Sequence, residues 1–331
     1  MILANKVSCA SSMRSSEEGR LAAKPDDVSK GPNCPPSVIE STATIVICTR
    51  YRSKELRDCL NAIARLRRVP DEVIVVDNSS GDRDTKAIAQ EFGARYLLEP
   101  TTGLSRARNL GLSAASSDIV AYIDDDAQPQ EDWLTILLRP FADPNVGVVT
   151  GGTSPSIEIS ARQKGDVFYR LDSNDPHWLE IAAFGGLGIG TNMALRKALC
   201  VGWKVFDERL GRGSPLEAME EHHAFVGFLS RGYSAERVAD AIVIHSSKYS
   251  LDVMREARNS MAYWLLLFEE NPGCRKELVR FLIRRFRRKP LGWRRESLEL
   301  GRVFSSGRVS LLKAGLAGLL FYLRCCKRVK G

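Results

Sequence analysis

The chain has 331 residues, 44% of them hydrophobic, and a formal net charge of +8 at neutral pH. That length holds two domains, or one with an appendage, and the composition is that of a globular protein rather than a disordered one. The charge is uneven: residues 271–331 hold 17 Lys/Arg against 3 Glu, a net +14, which leaves residues 1–270 at −6. An acidic body with a basic tail seeks an anionic surface through that tail: phospholipid, nucleic acid or an acidic partner.

Residues 1–41 read as disordered, being rich in Ser, Lys and Pro with no apolar run long enough for a signal peptide. The eight cysteines form no CxxC pair, so they are expected as reduced thiols in a cytoplasmic protein. Thr44–Cys48 is the first strand, with Thr49, Arg50, Tyr51 and Arg52 as its exit loop. A helix follows, with Ser53 as its expected N-cap and Leu56, Leu60, Ile63 and Ala64 on one face. Glu72–Val76 is the second strand, ending at Asp77-Asn78-Ser79-Ser80. A helix over 84–92, a short strand at 94–98 and a helix over 103–116 come next.

Ile119–Ile123 then runs as a buried strand into Asp124, Asp125 and Asp126. Open α/β sheets bind ligands beyond the carboxyl ends of their strands, where these acids fall. Three adjacent carboxylates repel one another unless a cation offsets them; a solvated acidic turn is the other reading. A helix over 133–141 and a strand over 146–150 complete the first half. Strands alternating with helices at this spacing predict a mostly parallel central sheet with flanking helices, an α/β class.

Residues 153–183 have weak periodicity and suit an acceptor-binding insertion, in which His177 and Trp178 either stack on a sugar or pack. The glycine-dense run Gly185–Gly190 allows either close backbone approach or a flexible loop with a bulge. A helix over 217–231, a strand over 241–245 and helices from Leu251 onward close the chain.

The segments Ile45–Tyr51, Val73–Ser80, Ala107-Arg108-Asn109-Leu110-Gly111, Ile123–Asp126, Gly190–Ala194 and Phe206–Gly211, in this order, resemble family 2 glycosyltransferases. The resemblance spans about residues 42–247 and implies a GT-A fold: a domain over 42–250, with a nucleotide-binding half at 42–151 and an acceptor half at 152–250, then a helical basic tail at 251–331. It implies an inverting, metal-dependent transfer from a nucleotide-diphosphate sugar, UDP-linked by family expectation, to a glycan or lipid-linked acceptor in cell-surface polysaccharide or glycolipid synthesis.

The same resemblance assigns Asp124 to the ribose or metal, Asp126 to the metal and Asp125 to the less constrained middle position. Mn²⁺ or Mg²⁺ suits such an oxygen-rich site. Asp77 would reach the nucleobase or ribose, Thr49, Arg50 and Tyr51 would line its other side, and Arg108 would meet base or phosphates. Gly190 and Asn192 would flank a sugar. The family's Glu-Asp pair stands here as Glu220-Glu221-His222-His223, so Glu221, then Glu220, then a histidine is the order of candidates for the general base. His245, at a strand end, either completes the metal shell or is structural. No Gln-x-x-Arg-Trp pattern occurs, which points to single-sugar addition.

In the tail, the uninterrupted apolar run Ala314–Leu323 is too short to span a bilayer, and with flanking cations it fits an interfacial helix at the inner face of a membrane or an ordinary cap on the body. Two other readings stand beside the enzyme: an inactive homologue, given Glu-Glu-His-His, and a binder of anionic surfaces or nucleic acid through the tail. No specific nucleic-acid motif is present.

Overall fold

A computed structural model describes residues 41–154, 168–245, 253–286, 316–320 and 322–323, all within one compact unit spanning Ile39–Gly331. The expected disordered segment lies, Ser41 apart, outside the described residues, as does most of the basic tail beyond 286.

Strand β1 (Ala43–Thr49) is buried along nearly its whole length, as a strand covered on both faces must be. Helix α1 (Ser53–Ile63) buries Leu56, Cys59, Leu60 and Ile63 at helical spacing. Ser53 is its first residue and not its cap: Arg52 occupies the cap position without a side-chain cap bond. Strand β2 (Glu72–Asp77) leads to α2 (Arg83–Glu91), where the Asp82 carboxylate accepts from the Asp84 amide and the Thr85 hydroxyl. Strand β3 (Arg95–Leu98), helix α3 (Leu104–Ala114), strand β4 (Ile119–Asp124) and a three-residue strand β5 (Ala127–Pro129) follow.

Helix α4 (Trp133–Leu138) ends in a single 3-10 turn at Arg139–Ala142, where Pro140 interrupts the α pattern. The chain continues through β6 (Val146–Ser154), β7 (Phe168–Leu171), α5 (Trp178–Phe184), β8 (Asn192–Arg196), α6 (Glu220–Ser230), β9 (Ser234–His245), α7 (Val253–Glu270) and α8 (Arg275–Phe286). Three of these, β7, α5 and β8, lie where the sequence shows little periodicity.

One nine-stranded sheet runs β3-β2-β1-β4-β8-β6-β9-β5, with β7 also on β9. Pairings among β1 to β4 are all parallel, as predicted. The second half departs from that expectation: β8 is antiparallel to both β4 and β6, and β9 is antiparallel to β5 and β7 while parallel to β6. Two apolar cores cover its faces. Val46, Val120 and Tyr122 point into one, and Ile45, Ile47, Ala121 and Ile123 into the other, the alternation a strand imposes.

The β6–β9 register jumps between Gly151 (opposite Val238) and Gly152 (opposite Ile242), leaving extra β9 residues as a bulge. A Cβ on Gly151 would lie 2.2 Å from the Ala241 carbonyl oxygen, and one on Gly152 2.3 Å from that of Ala239, so only glycine fits. Asn192 fills the distortion. Its Nδ2 donates to the carbonyls of Gly152 (2.8 Å) and Ala241 (2.7 Å), and its Oδ1 accepts from Trp133 Nε1 at 2.8 Å. Beyond the bulge β9 reaches β5, setting His245 opposite Ala127.

Candidate active site

The β4 carboxylates emerge beside the exit of β1, because Cys48 pairs in register with Asp124. Asp124 accepts from the Thr191 hydroxyl at 2.6 Å. Asp125 turns inward and is buried, accepting from Thr49 Oγ1 at 2.7 Å and pairing with Arg52 Nη1 at 2.8 Å. Burial pushes the Asp125 carboxyl up to about 6 against the pull of those two partners.

Asp126 pairs with Arg52 Nη2 at 2.7 Å and with His245 Nε2 at 3.2 Å. Burial opposes its ionisation, but the hydrogen bonds from His245 and Arg52 outweigh it and hold the carboxyl well below the usual range. The Asp126 hydrogen bond also raises His245, against its burial. Ligand atoms of Asp124, Asp126 and His245 all lie within 4.8 Å of one another, a donor set of two carboxylates and an imidazole that can hold a divalent cation. Arg52 escapes the sequence reading. Its one signal is position, as the last residue of the exit loop next to the acidic strand.

The second group of residues comes from α3 and α6. Helix α6 starts at Glu220, three residues later than predicted, after Met219 in a left-handed conformation (φ 73°). Glu220 and Glu221 therefore occupy its first turn, where acids complement the helix dipole. Arg108, buried on α3, places Nη1 2.7 Å from Glu220 Oε1 and Nη2 3.6 Å from Asp124 Oδ1. A Cβ on Gly190 would lie 2.7 Å from that guanidinium, so a side chain there would displace Arg108. The Gly190 amide points to Glu221 Oε1 at 3.4 Å, and His222 Nδ1 lies 3.7 Å from the same oxygen. Burial and the charge of Glu221 raise the Glu220 carboxyl. Burial also works against Glu221, but the neighbouring His222 prevails and lowers it.

All these groups face one cavity of about 1480 Å³. Thr49, Arg50, Arg52, Arg108, the three aspartates, Gly190, Thr191, Glu220, Glu221, His222 and His245 line it. Three expected residues do not. Asn192 is fully buried in the bulge with its amide satisfied, so it flanks no sugar. Asp77 is also fully buried: its oxygens accept from the amides of Ser79 (3.1 Å) and Asp82 (2.9 Å) and from the Tyr96 hydroxyl (2.8 Å), so it holds the turn after β2. Tyr51 turns away to hydrogen bond with Ser80 at 2.8 Å. Asn78, next to Asp77, lines the cavity instead. His223 packs near the Tyr263 ring, and His177 and Trp178 cap and begin α5. Trp178 packs partly buried against the core, and neither residue lines the cavity.

The sequence model for glycosyl transferase family 2 matches residues 44–199, the stretch that carries β1 to β8 and the three aspartates. That match covers 156 of the 331 residues, and over it the chain has the sequence pattern of family 2. The chain is 27% identical over 271 residues to an N-acetylglucosaminyltransferase of Sinorhizobium fredii, covering 75% of this chain and 63% of the relative. It is 33% identical over 121 residues to the pre-mycofactocin glycosyltransferase of Mycobacterium tuberculosis, 36% of this chain and 25% of that one. It thus spans less than two thirds of the length of these curated relatives. Its fold is similar to that of a mannosyltransferase from Pyrobaculum calidifontis in complex with GDP-Man and Mn²⁺, with a TM-score of 0.54 and 17% identity over 86% of this chain and 87% of the other. It is likewise similar to S. aureus TarS residues 1–349, with a TM-score of 0.52 and 16% identity over 85% and 89% of the two chains. These likenesses establish the GT-A fold.

Proposed function

We propose that the protein is an inverting glycosyltransferase that moves one sugar from a nucleotide-diphosphate sugar to an acceptor hydroxyl in cell-surface polysaccharide or glycolipid synthesis. The observation that carries this reading is a shared cavity: Asp124, Asp126 and His245 converge at one part of its wall, Glu220 and Glu221 at another, and Arg108 bridges the two groups. Residues 42–151 form the nucleotide half and 152–250 the acceptor half.

In this reading Thr49 and Arg50 face the nucleoside. Asp124, Asp126 and His245 hold the divalent cation, and the imidazole among them favours Mn²⁺ over Mg²⁺. When bound, that cation supplies Lewis-acid stabilisation of the diphosphate leaving group. Glu221 takes the proton from the acceptor hydroxyl as the new bond to the anomeric carbon forms and the bond to the diphosphate breaks. His222 keeps Glu221 ionised for that role, and Arg108 holds Glu220 beside it. Attack opposite the leaving group inverts the anomeric centre.

A thermal-shift screen of UDP-N-acetylglucosamine, UDP-glucose and GDP-mannose, with and without Mn²⁺, tests the reading. The true donor at a hundredfold excess over its dissociation constant stabilises by about 2.7 kcal/mol. The expected result is Mn²⁺-dependent stabilisation by one of them, abolished by Asp126→Ala, followed by transfer. Stabilisation that survives in Asp126→Ala would sink the site assignment. The donors named in the relatives, N-acetylglucosamine and mannose, set the order of the screen.

A further inference from the structure

The helical residues 316–320 and 322–323 dock on α7 with their small and polar side. A Cβ on Gly318 would stand 2.6 Å from Met261 Cβ and 3.1 Å from the Arg258 carbonyl oxygen, so the two backbones touch. Four residues on, Tyr322 is 7% exposed and donates to the Glu269 carboxylate. The opposite side is apolar and open. Leu316, Leu319, Leu320 and Leu323, spaced as one helical stripe, are 62%, 40%, 48% and 42% exposed. An ordinary surface helix buries its leucines and exposes its polar residues; here the order is reversed. Helix α8 likewise leaves Val279 and Ile283 open.

Two further facts say what covers this face. Lys313 precedes the stripe and Arg324, Lys327, Arg328 and Lys330 follow it, within a tail of net charge +14. Among the described residues no helix is long and apolar enough to cross a membrane. Leucines flanked by cations on a short helix are the composition of an element lying in the boundary of an anionic bilayer. The location fits as well. Asn259 of α7 lines the cavity beside the residue whose carbonyl meets Gly318, and Phe184 of the cavity wall stacks on Phe281 of α8 at 4.5 Å. The leucine stripe is thus about two helix diameters, roughly 20 Å, behind the cavity wall, with α7 and its own helix between.

We propose that this leucine stripe seats the protein on an anionic lipid surface, which presents a lipid-linked acceptor to the cavity. The acceptor part rests on the glycosyltransferase reading; the lipid contact does not. The test is co-sedimentation of the full chain with vesicles containing phosphatidylglycerol and with vesicles of phosphatidylcholine alone. The wild type sediments with the first and not the second. Leu316→Ser/Leu320→Ser partitions roughly tenfold less or weaker still, while Val201→Ser, at an exposed valine elsewhere, does not change. Unchanged circular dichroism and melting temperature exclude misfolding, since both leucines are exposed.

The proposal is overturned if the wild type ignores anionic vesicles, or if the double variant sediments as well as the wild type. It is overturned too if the stripe instead holds a dimer that the variant splits without any vesicle binding. Asp126→Ala separates the two readings: it should abolish transfer and leave sedimentation intact. Transfer surviving in that variant refutes the site while the vesicle result stands on its own.

Discussion

The buried guanidinium of Arg108 donates to Glu220 across 2.7 Å and so ties α3 to the first turn of α6. Both residues are almost fully buried, Arg108 at 3% and Glu220 at 6% exposure. Removing one partner leaves the other as an unpaired buried group, which costs about 3–5 kcal/mol. Arg108→Met should therefore lower stability by that amount in urea titrations, and adding Glu220→Gln should recover part of it. Full additivity of the two losses would show that the pair is not coupled.

Glu221→Gln keeps the side chain's size and removes its basicity. It should lower kcat by roughly 10²- to 10⁴-fold while the donor still raises the melting temperature as in the wild type. Glu220→Gln should reduce kcat less, since Glu220 already serves Arg108. Near-normal turnover in Glu221→Gln, with a large loss in Glu220→Gln, would exchange the two roles.

The pH profile follows from Glu220. Burial, then the charge of Glu221, raises its carboxyl to about 7. Above that pH Glu220 is ionised and neutralises Arg108; below it the proton returns and the arginine loses its counter-charge. The value of kcat/KM should fall as the pH drops below 7 and level off near the activity of Glu220→Gln, in which that position is always neutral. In Glu220→Gln, which has no proton to bind, that limb should flatten. A limb unchanged in the variant assigns it to another group, with His222 the next to be replaced.

His245→Ala takes one donor from the set with Asp124 and Asp126. The Mn²⁺ concentration needed for half-maximal thermal stabilisation should rise by at least about tenfold. An unchanged midpoint would make the histidine a partner of Asp126 and nothing more.

Asn192→Ala tests the corrected role of that residue. It leaves two carbonyls and an indole N–H without their partner, at about 1–3 kcal/mol for each group not reached by water. The expected outcome is a fall in melting temperature with an unaltered KM for the donor. A raised KM at normal stability would return Asn192 to the sugar.

The parallel half of the fold was open to reading because its strands are continuous apolar runs ending in Asp77 and Asp124, and each helix between them has a clear face. The second half was not. There β8 begins at Asn192 inside a glycine-rich stretch, and its antiparallel placement is set by packing between β4 and β6, which no local pattern announces. Asp124, Asp126 and His245, named from the sequence, come together on the cavity because the strand ends that carry them share one edge of the sheet. Asp77 and Asn192 lie off the cavity for a shared reason: polar residues at strand ends serve equally well to satisfy backbone groups, and sequence does not tell which way the side chain turns. Arg52 was passed over because one arginine among 48 Lys/Arg carries no mark of the two aspartates it holds.

The pairing of β5 with β9 has a temporal meaning as well. During synthesis Asp124 and Asp126 leave the ribosome long before His245, which arrives only as the final residue of the last strand in the sheet. A growing chain therefore has two of the three candidate donors early and gains the third only on completing that strand. Termination between Pro129 and His245 should give a product that carries β1 to β4 yet binds manganese more weakly, so metal affinity reports whether the sheet was finished.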